Sequence, residues 1–220
     1  MKCVVTAGPT YELLDKVRRL TNFSTGRLGA ELAAFLTERG HDVNLLLGEQ
    51  ATYRGEMSAP KIEHFSTTAD LRERLEVLGR KSPDAIFHAA AVSDFTFGKI
   101  WSRTSKGALK ELKSGKITTR DGNLLAELVP TPKIIAELRS WHPKALLVGW
   151  KYAVDGNRQG VIGLGEKQIR ECRTDACVVN GPAYGLGFGL VIQSSECAHF
   201  RSPAKLFAIL EELVHAKRRD

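Results

Sequence analysis

Asn22-Phe23-Ser24-Thr25-Gly26-Arg27-Leu28-Gly29 follows the apolar run at residues 3–6 and the turn Gly8-Pro9-Thr10. It opens a segment at 30–39 that has the periodicity of a helix. Backbone N–H groups at a helix start lack intrahelical partners and carry the positive end of the dipole, so they suit a phosphate. Glycine has no Cβ to hold an anion away from the backbone. Asn22, just upstream, offers an amide donor and acceptor. On these residues alone two readings stand: an anion site, or a capped helix behind a structural loop.

Outward from this stretch, apolar runs alternate with helical patterns. Strands are expected at 3–6, 43–47, 85–90, 146–149, 175–180 and 190–193. Helices are expected at 26–39, ending at Gly40, at 71–79 behind Thr67/Thr68, at 134–139, and at 203–217, where Leu206, Ile209, Leu210 and Leu213 recur at helical spacing. The alternation predicts an α/β fold: a Rossmann-like, doubly wound, mostly parallel sheet with helices on both faces. We read residues 1–220 as a single domain. Ligands of such sheets bind beyond the carboxyl ends of the strands. Residues 95–125, basic and poorly periodic, read as a long mobile active-site loop.

Composition narrows the function. No apolar run approaches the roughly 20 residues of a membrane span, and Met1-Lys2-Cys3-Val4-Val5 enters a strand pattern directly, so no signal peptide and a cytoplasmic location are expected. Cys3, Cys172, Cys177 and Cys197 lack zinc-motif spacing and read as reduced thiols. A net charge of +7 fits nucleic acid or a small polyanionic substrate. The basic residues of 99–116 and of the tail Lys217-Arg218-Arg219 have no interleaved aromatics, so nucleic-acid binding is not expected.

His88-Ala89-Ala90-Ala91-Val92-Ser93-Asp94 ends the third strand, and its alanines leave room for a ligand. Asp94 sits where a base or a Mg²⁺ ligand would lie, or else it caps a turn; His88 reads as a structural residue. Lys113-Ser114-Gly115-Lys116-Ile117 is either a phosphate-closing loop or a solvated surface. Val129-Pro130-Thr131-Pro132-Lys133-Ile134-Ile135 is a proline-ordered helix entry. The turns Asn180-Gly181-Pro182 and Gly185-Leu186-Gly187-Phe188-Gly189 complete the glycine-rich segments. A G-x-G-x-x-G fingerprint after the first strand and a Walker sequence are both missing.

Together, Val5-Thr6-Ala7-Gly8-Pro9-Thr10, Asp15-Lys16-Val17-Arg18, Asn22-Phe23-Ser24-Thr25-Gly26, Ala89-Ala90-Ala91-Val92-Ser93-Asp94, Lys116-Ile117, Leu128-Val129-Pro130-Thr131-Pro132, Val178-Val179-Asn180 and Gly187-Phe188-Gly189 resemble, in order, the phosphopantothenoylcysteine synthetase family. In many bacteria that synthetase is fused behind a flavin-dependent decarboxylase; this chain resembles the synthetase half, so no flavin is expected. The resemblance implies a Mg²⁺-dependent ligase of coenzyme A biosynthesis. It would join 4'-phosphopantothenate to cysteine through an acyl-nucleotide, with CTP more than ATP as co-substrate. It also implies a homodimer, and a separate decarboxylase as a further partner.

By motif, Asn22 would hold the pantothenoyl carboxylate, and Gly8, Ser24, Gly26 and Gly29 would surround the substrate phosphate. Arg18 would reach the neighbouring subunit's substrate. Asp94, with Ala90 and Ala91 beside it, would contact the nucleotide or its Mg²⁺. Lys116, with Lys113 as rival, would serve the phosphates. Pro132, Lys133, Ile134 and Ile135 would line the nucleotide pocket, joined by Trp150 and Lys167. The chain departs from the family at Lys116-Ile117-Thr118-Thr119, where K-x-K-K is frequent, and at Gly149-Trp150-Lys151-Tyr152-Ala153-Val154-Asp155, where G-F-A-x-E-T is frequent. The alternatives are a nicotinamide-dependent reductase and a non-catalytic nucleotide-binding module on the same fold.

Overall fold

The computed structural model describes residues 1–55, 57–78, 82–104, 106–113, 115–118, 123–192 and 197–217. Gly79 of the expected second helix, Ser114, Thr119 and Gly122 of the expected loop, Gln193 of the last expected strand, and Arg218-Arg219 of the tail lie outside these residues. In chain order the elements are β1 (Lys2–Ala7), β2 (Tyr11–Leu13), β3 (Arg19–Thr21), α1 (Arg27–Glu38), β4 (Asp42–Gly48), β5 (Lys61–Phe65), α2 (Thr68–Leu78), β6 (Ala85–His88), β7 (Phe95–Arg103), β8 (Leu109–Glu111), β9 (Leu124–Pro130), α3 (Ile134–Trp141), β10 (Leu146–Tyr152), α4 (Arg158–Cys172), β11 (Ala176–Asn180), β12 (Phe188–Ile192), β13 (Ala198–Phe200) and α5 (Pro203–Lys217).

The central sheet has eight strands in the order β13-β12-β11-β10-β6-β1-β4-β5. The run from β5 to β11 is parallel; β12 and β13 extend it antiparallel. Strand order reverses between β1 and β6, which is the topological switch point of a doubly wound sheet. The α/β, Rossmann-like architecture is therefore the one the alternation predicts.

A strand buried on both faces is apolar at nearly every position, hence continuous rather than alternating runs. Cys3, Val5 and Ala7 of β1 pack with Leu32 and Leu36 of α1 and with Leu206 and Leu210 of α5. Val4 points the other way, into a core with Leu71 and Leu75 of α2 and Ile134 and Leu138 of α3. A third cluster sets Val161 and Ile169 of α4 against Cys177 and Val179 of β11. Each fully buried leucine or isoleucine contributes roughly 1.5–3 kcal/mol.

Several elements were not legible from periodicity. Strand β5 shows only Phe65 buried, so no alternation marks it. Helix α4 carries Gly160, Gly163 and Gly165 and little apolar content, which hid its stripe. Gly165 is required: a Cβ there would sit 2.7 Å from Val179 Cγ1.

The largest difference lies at 95–125. In place of one irregular loop, β7 pairs antiparallel with β8 and β9, with a register shift between Phe97 and Ile100. These strands are exposed over most of their length, so the sequence carried no buried face to announce them.

Helix α1 lies unusually close to β1. A Cβ added at Gly29 would stand 2.6 Å from Ala7 Cβ and 3.0 Å from the Thr6 carbonyl oxygen. On helix α4, Gly163 has nothing within 4 Å of its would-be Cβ. Gly29→Ala should therefore destabilise the protein by about 1–3 kcal/mol through overpacking, despite alanine's helix preference. Gly163→Ala should stabilise it by up to about 1 kcal/mol. Paired urea-denaturation midpoints check both signs.

Candidate active site

At the switch point the tails of β1 and β6 run on together past their strand ends. Ala91 N–H donates to the Gly8 carbonyl (3.0 Å), and Thr10 N–H donates to the Ala91 carbonyl (3.1 Å). Two buried threonines complete the join: Thr6 Oγ1 accepts from Ala90 N–H (3.1 Å), and Thr10 Oγ1 accepts from Ser93 N–H (2.8 Å). Thr131 adds the β9–α3 connection, donating from Oγ1 to the Ser93 carbonyl (2.5 Å) and from N–H to the Asp94 carbonyl (3.0 Å). The result is a hydrogen-bonded floor at the carboxyl edge of the sheet. His88 lies inside it, with Nδ1 3.0 Å from Thr6 Oγ1. Burial pushes the His88 imidazole down to about 4, so it is neutral near pH 7, as suits the structural role read from the sequence.

Asn22 reaches this floor from the β2–β3 hairpin. Its Nδ2 donates to the carbonyls of Ala91 (3.2 Å) and Val92 (3.4 Å), while the residue stays exposed. To donate to a ligand as well, the amide need release only the longer bond. The start of α1 stands alongside. Gly26 takes the N-cap position at φ 82°, with no side-chain cap, and Thr25 Oγ1 accepts from Arg27 N–H at 3.3 Å. Gly8 is also left-handed, at φ 81°. A Cβ on Gly8 or Gly26 would meet Ala51 Cβ at 2.9 or 3.0 Å, so both must be glycine for turn and helix start to touch. The helix N-terminus faces the floor without a side-chain cap, which favours the anion reading over the capped helix.

The segment that carries Lys116 is held at the turn of the β2–β3 hairpin. The Asp15 carboxylate accepts from the N–H groups of Val17 (2.9 Å), Arg18 (2.8 Å) and Ile117 (3.1 Å). It also accepts from the Arg18 guanidinium, Nε at 3.1 Å and NH2 at 2.5 Å. That guanidinium holds the Asp15 carboxyl well below the usual carboxylate range. Arg18 also donates to the Ile117 carbonyl (2.6 Å), and Lys16 N–H donates to the Gly115 carbonyl (2.9 Å). Residues 115–118 are thus tied to the β2–β3 turn. Val17, Arg18, Lys116, Ile117 and Thr118 line an open cleft of 400 Å³. Arg18, expected to reach a neighbouring subunit, is bonded here within its own chain.

The other expected site residues are less gathered. Ser24 is half-buried beside α1, and Asp94, Pro132 and Lys133 are exposed at the rim. Ile134 and Ile135, expected to line a pocket, are core residues only 1% and 8% exposed, so they can offer a ligand backbone but not side chains. Trp150 is half-buried against the α1/α5 core, and its Nε1–H is buried without a partner. Lys167 departs from expectation. It lies nine residues into α4, about 14 Å down the axis from the helix start, and faces Glu171 at 3.8 Å. Helix geometry carries it away from the carboxyl edge.

The family described as the DNA/pantothenate metabolism flavoprotein C-terminal domain matches residues 1–197. The chain belongs to this family. The "Coenzyme A biosynthesis bifunctional protein CoaBC" of Thermococcus kodakarensis is 33% identical over 184 residues, 81% of this chain and 41% of that protein. Its Bacillus subtilis counterpart is 31% identical over 187 residues, 84% and 42%. The chain thus spans about two fifths of the length of these curated relatives. The crystal structure of the DNA/pantothenate metabolism flavoprotein from Streptococcus pneumoniae superposes with a TM-score of 0.85 at 26% identity, covering 98% of this chain and 99% of that one. A Cab2 mutant solved in complex with phosphopantothenate-cysteine shares the fold, with a TM-score of 0.73 at 18% identity, covering 100% and 89%.

In this member of the flavoprotein C-terminal domain family, Gly8, Asn22, Gly26, Ala90 and Ala91 converge on one edge of the sheet. Gly29 contributes by packing, while Lys116 lies in the separate cleft beside Val17 and Arg18. Thr6, Thr10, Thr131 and Asp15, present in the motifs but given no role there, build the floor and the tether. The available signal was a threonine inside an otherwise apolar strand and another just past its end.

The site generates two expectations. His88 is neutral when folded but takes a proton near its ordinary value of 6.5 when unfolded. Stability should therefore be full above about pH 6.5 and fall as pH drops toward 4, by up to roughly 3 kcal/mol. His142, also lowered by burial, adds in the same direction. Urea midpoints should show a flatter slope over that window in His88→Asn than in the parent. Asp15→Ala should leave the global midpoint little changed but release residues 115–118. Tryptic cleavage after Lys116 should then accelerate by about tenfold, the loss of one to two buried hydrogen bonds.

Proposed function

We propose that this chain is a Mg²⁺-dependent ligase that joins 4'-phosphopantothenate to L-cysteine in coenzyme A biosynthesis, with CTP as activating nucleotide. The observation that carries this reading is the Asn22 amide, held against the Ala91 and Val92 carbonyls at the switch point beside the start of α1. A phosphorylated carboxylic acid fits that pairing: phosphate on the helix N-terminus, carboxylate on the amide. The curated relatives named for coenzyme A biosynthesis and the Cab2 complex with phosphopantothenate-cysteine support the substrate class.

In this reading the backbone of Gly8, Ser24, Gly26 and Gly29 cradles the substrate phosphate. Asn22 orients the carboxylate for attack on the α-phosphorus of the nucleotide, and pyrophosphate leaves. The amine of cysteine then attacks the acyl carbon and releases the monophosphate. Lys116 screens the phosphate charge from the cleft edge, and Pro132, Lys133 and Trp150 meet the nucleotide. Neither step transfers electrons, so the reading needs no flavin. Asp94 fits Mg²⁺: it is one exposed carboxylate beside the expected phosphates, and that ion takes one or two carboxylates with the substrate supplying the rest. The ion would neutralise phosphate charge during the displacement.

The chain is further proposed to act as a homodimer. Leu13, Val17, Leu20 and Phe23 expose large apolar surface on one hairpin, and Phe23 is fully exposed. Burying it against a second copy would set Arg18 near the partner's site.

The test is pyrophosphate release with 4'-phosphopantothenate and Mg²⁺, comparing CTP with ATP and with cysteine present or absent. Release that requires phosphopantothenate and accelerates with cysteine is expected; release with neither nucleotide would overturn the reading. Asn22→Ala should lower turnover by about 10²–10³-fold, the loss of one preorganised donor. Lys116→Ala should lower it by about 10–100-fold. Light scattering should give a dimer mass that Phe23→Asp converts to monomer.

A further inference from the structure

At the opposite, amino edge of the sheet a second cluster has no part in this chemistry. We propose that His41, Glu211 and His215 form a structural transition-metal site whose donor set suits Zn²⁺. Their ligand atoms lie within 4.8 Å of one another, and among the described residues they are the group of three or more His, Cys, Asp or Glu that converges in this way. His41 Nε2 is 3.3 Å from Glu211 Oε1, and His215 Nε2 is 3.9 Å from the same oxygen. Tetrahedral Zn²⁺ with bonds of about 2.0–2.1 Å needs donor–donor edges of roughly 3.4 Å. The first distance already matches, and the second closes with a small rotation of the most exposed ligand.

The placement of each donor has a cause. Glu211 and His215 are four residues apart on α5, so one helix face presents both. His41 follows the left-handed Gly40 at the end of α1, its N–H bonded to the Leu36 carbonyl (3.1 Å), and its side chain is only 3% exposed. Its other nitrogen, Nδ1, faces Cys3 Sγ at 3.9 Å, which leaves Nε2 for the cluster. Arg39 sits 3.4 Å from Glu211 Oε2 and so turns Oε1 toward both imidazoles. Metal sites fix ligand orientation through such outer partners. The Arg39 charge also opposes a second cation, which sets a moderate affinity. His215 is half-exposed, which gives the ion an entry path and room for a water as fourth ligand.

The site would clamp the last turns of α5 to the turn between α1 and β4. It is separated from the active edge by the length of β4, roughly 20 Å. Its loading should therefore move stability and leave turnover alone.

Chelator-treated protein titrated with Zn²⁺ by calorimetry should bind one equivalent, and Co²⁺ should give visible bands of tetrahedral intensity. At free Zn²⁺ a hundredfold above Kd, the unfolding constant should fall about a hundredfold. His215→Ala, a surface change that spares the fold, should weaken binding at least tenfold. Glu211→Gln should do the same. Cys197→Ser should leave binding unchanged, since Cys197, His199 and Tyr184 form a separate group. Three results would each overturn the site: no binding below about 1 mM free Zn²⁺, unchanged affinity in His215→Ala, or loss of binding in Cys197→Ser.

Discussion

The pair of backbone hydrogen bonds that keeps the tails of β1 and β6 together, Ala91 N–H to the Gly8 carbonyl and Thr10 N–H to the Ala91 carbonyl, is what the rest of this molecule is arranged around. At a topological switch point the crossovers leave in opposite directions, and the strands beyond it would normally splay and open a crevice. Here the crevice has a floor. Thr6 and Thr10 supply it because a buried hydroxyl can satisfy a backbone N–H that no strand partner reaches. Once the floor is rigid, Asn22 has fixed carbonyls to bind, and the start of α1 has a fixed place to stand.

Close packing sets the second condition. Gly8, Gly26 and Gly29 bring the β1 turn and the first turn of α1 into contact at distances a Cβ would forbid. The helix dipole and its N–H groups therefore act at the floor itself rather than a residue's width away. A side chain added there would push the helix off the sheet and its first turn away from the Asn22 amide.

The Asp15–Arg18 pair explains how a segment a hundred residues away is held to the tip of the β2–β3 hairpin. Residues 115–118 have one buried side chain, Ile117, to anchor them. A carboxylate that accepts from both the hairpin and Ile117 N–H, with a guanidinium bridging to the Ile117 carbonyl, replaces packing by charge-assisted hydrogen bonds. Such a tie orders a segment yet opens at lower cost than a packed core does.

The near-continuous apolar runs of β1, β4, β6, β10 and β11 could be read directly, because strands buried on both faces leave few positions free to be polar. The glycines and Asn22 were legible for a similar reason, since few residue types can occupy a left-handed turn or pair an amide with two carbonyls. Strands β5, β7 and β9 were not, because exposed strands impose no pattern on their side chains. The family motifs named Arg18 and Lys167 without the chain geometry that ties one to Asp15 and carries the other down α4. What the sequence determined by itself was therefore the doubly wound core and the glycines of the turn that meets the start of α1, both fixed by local sterics and burial. Only the tertiary structure decided the shared floor of Thr6, Thr10 and Thr131, the tether on Lys116 and the meeting of His41 with α5, because each joins residues far apart in the chain through contacts that no local pattern encodes.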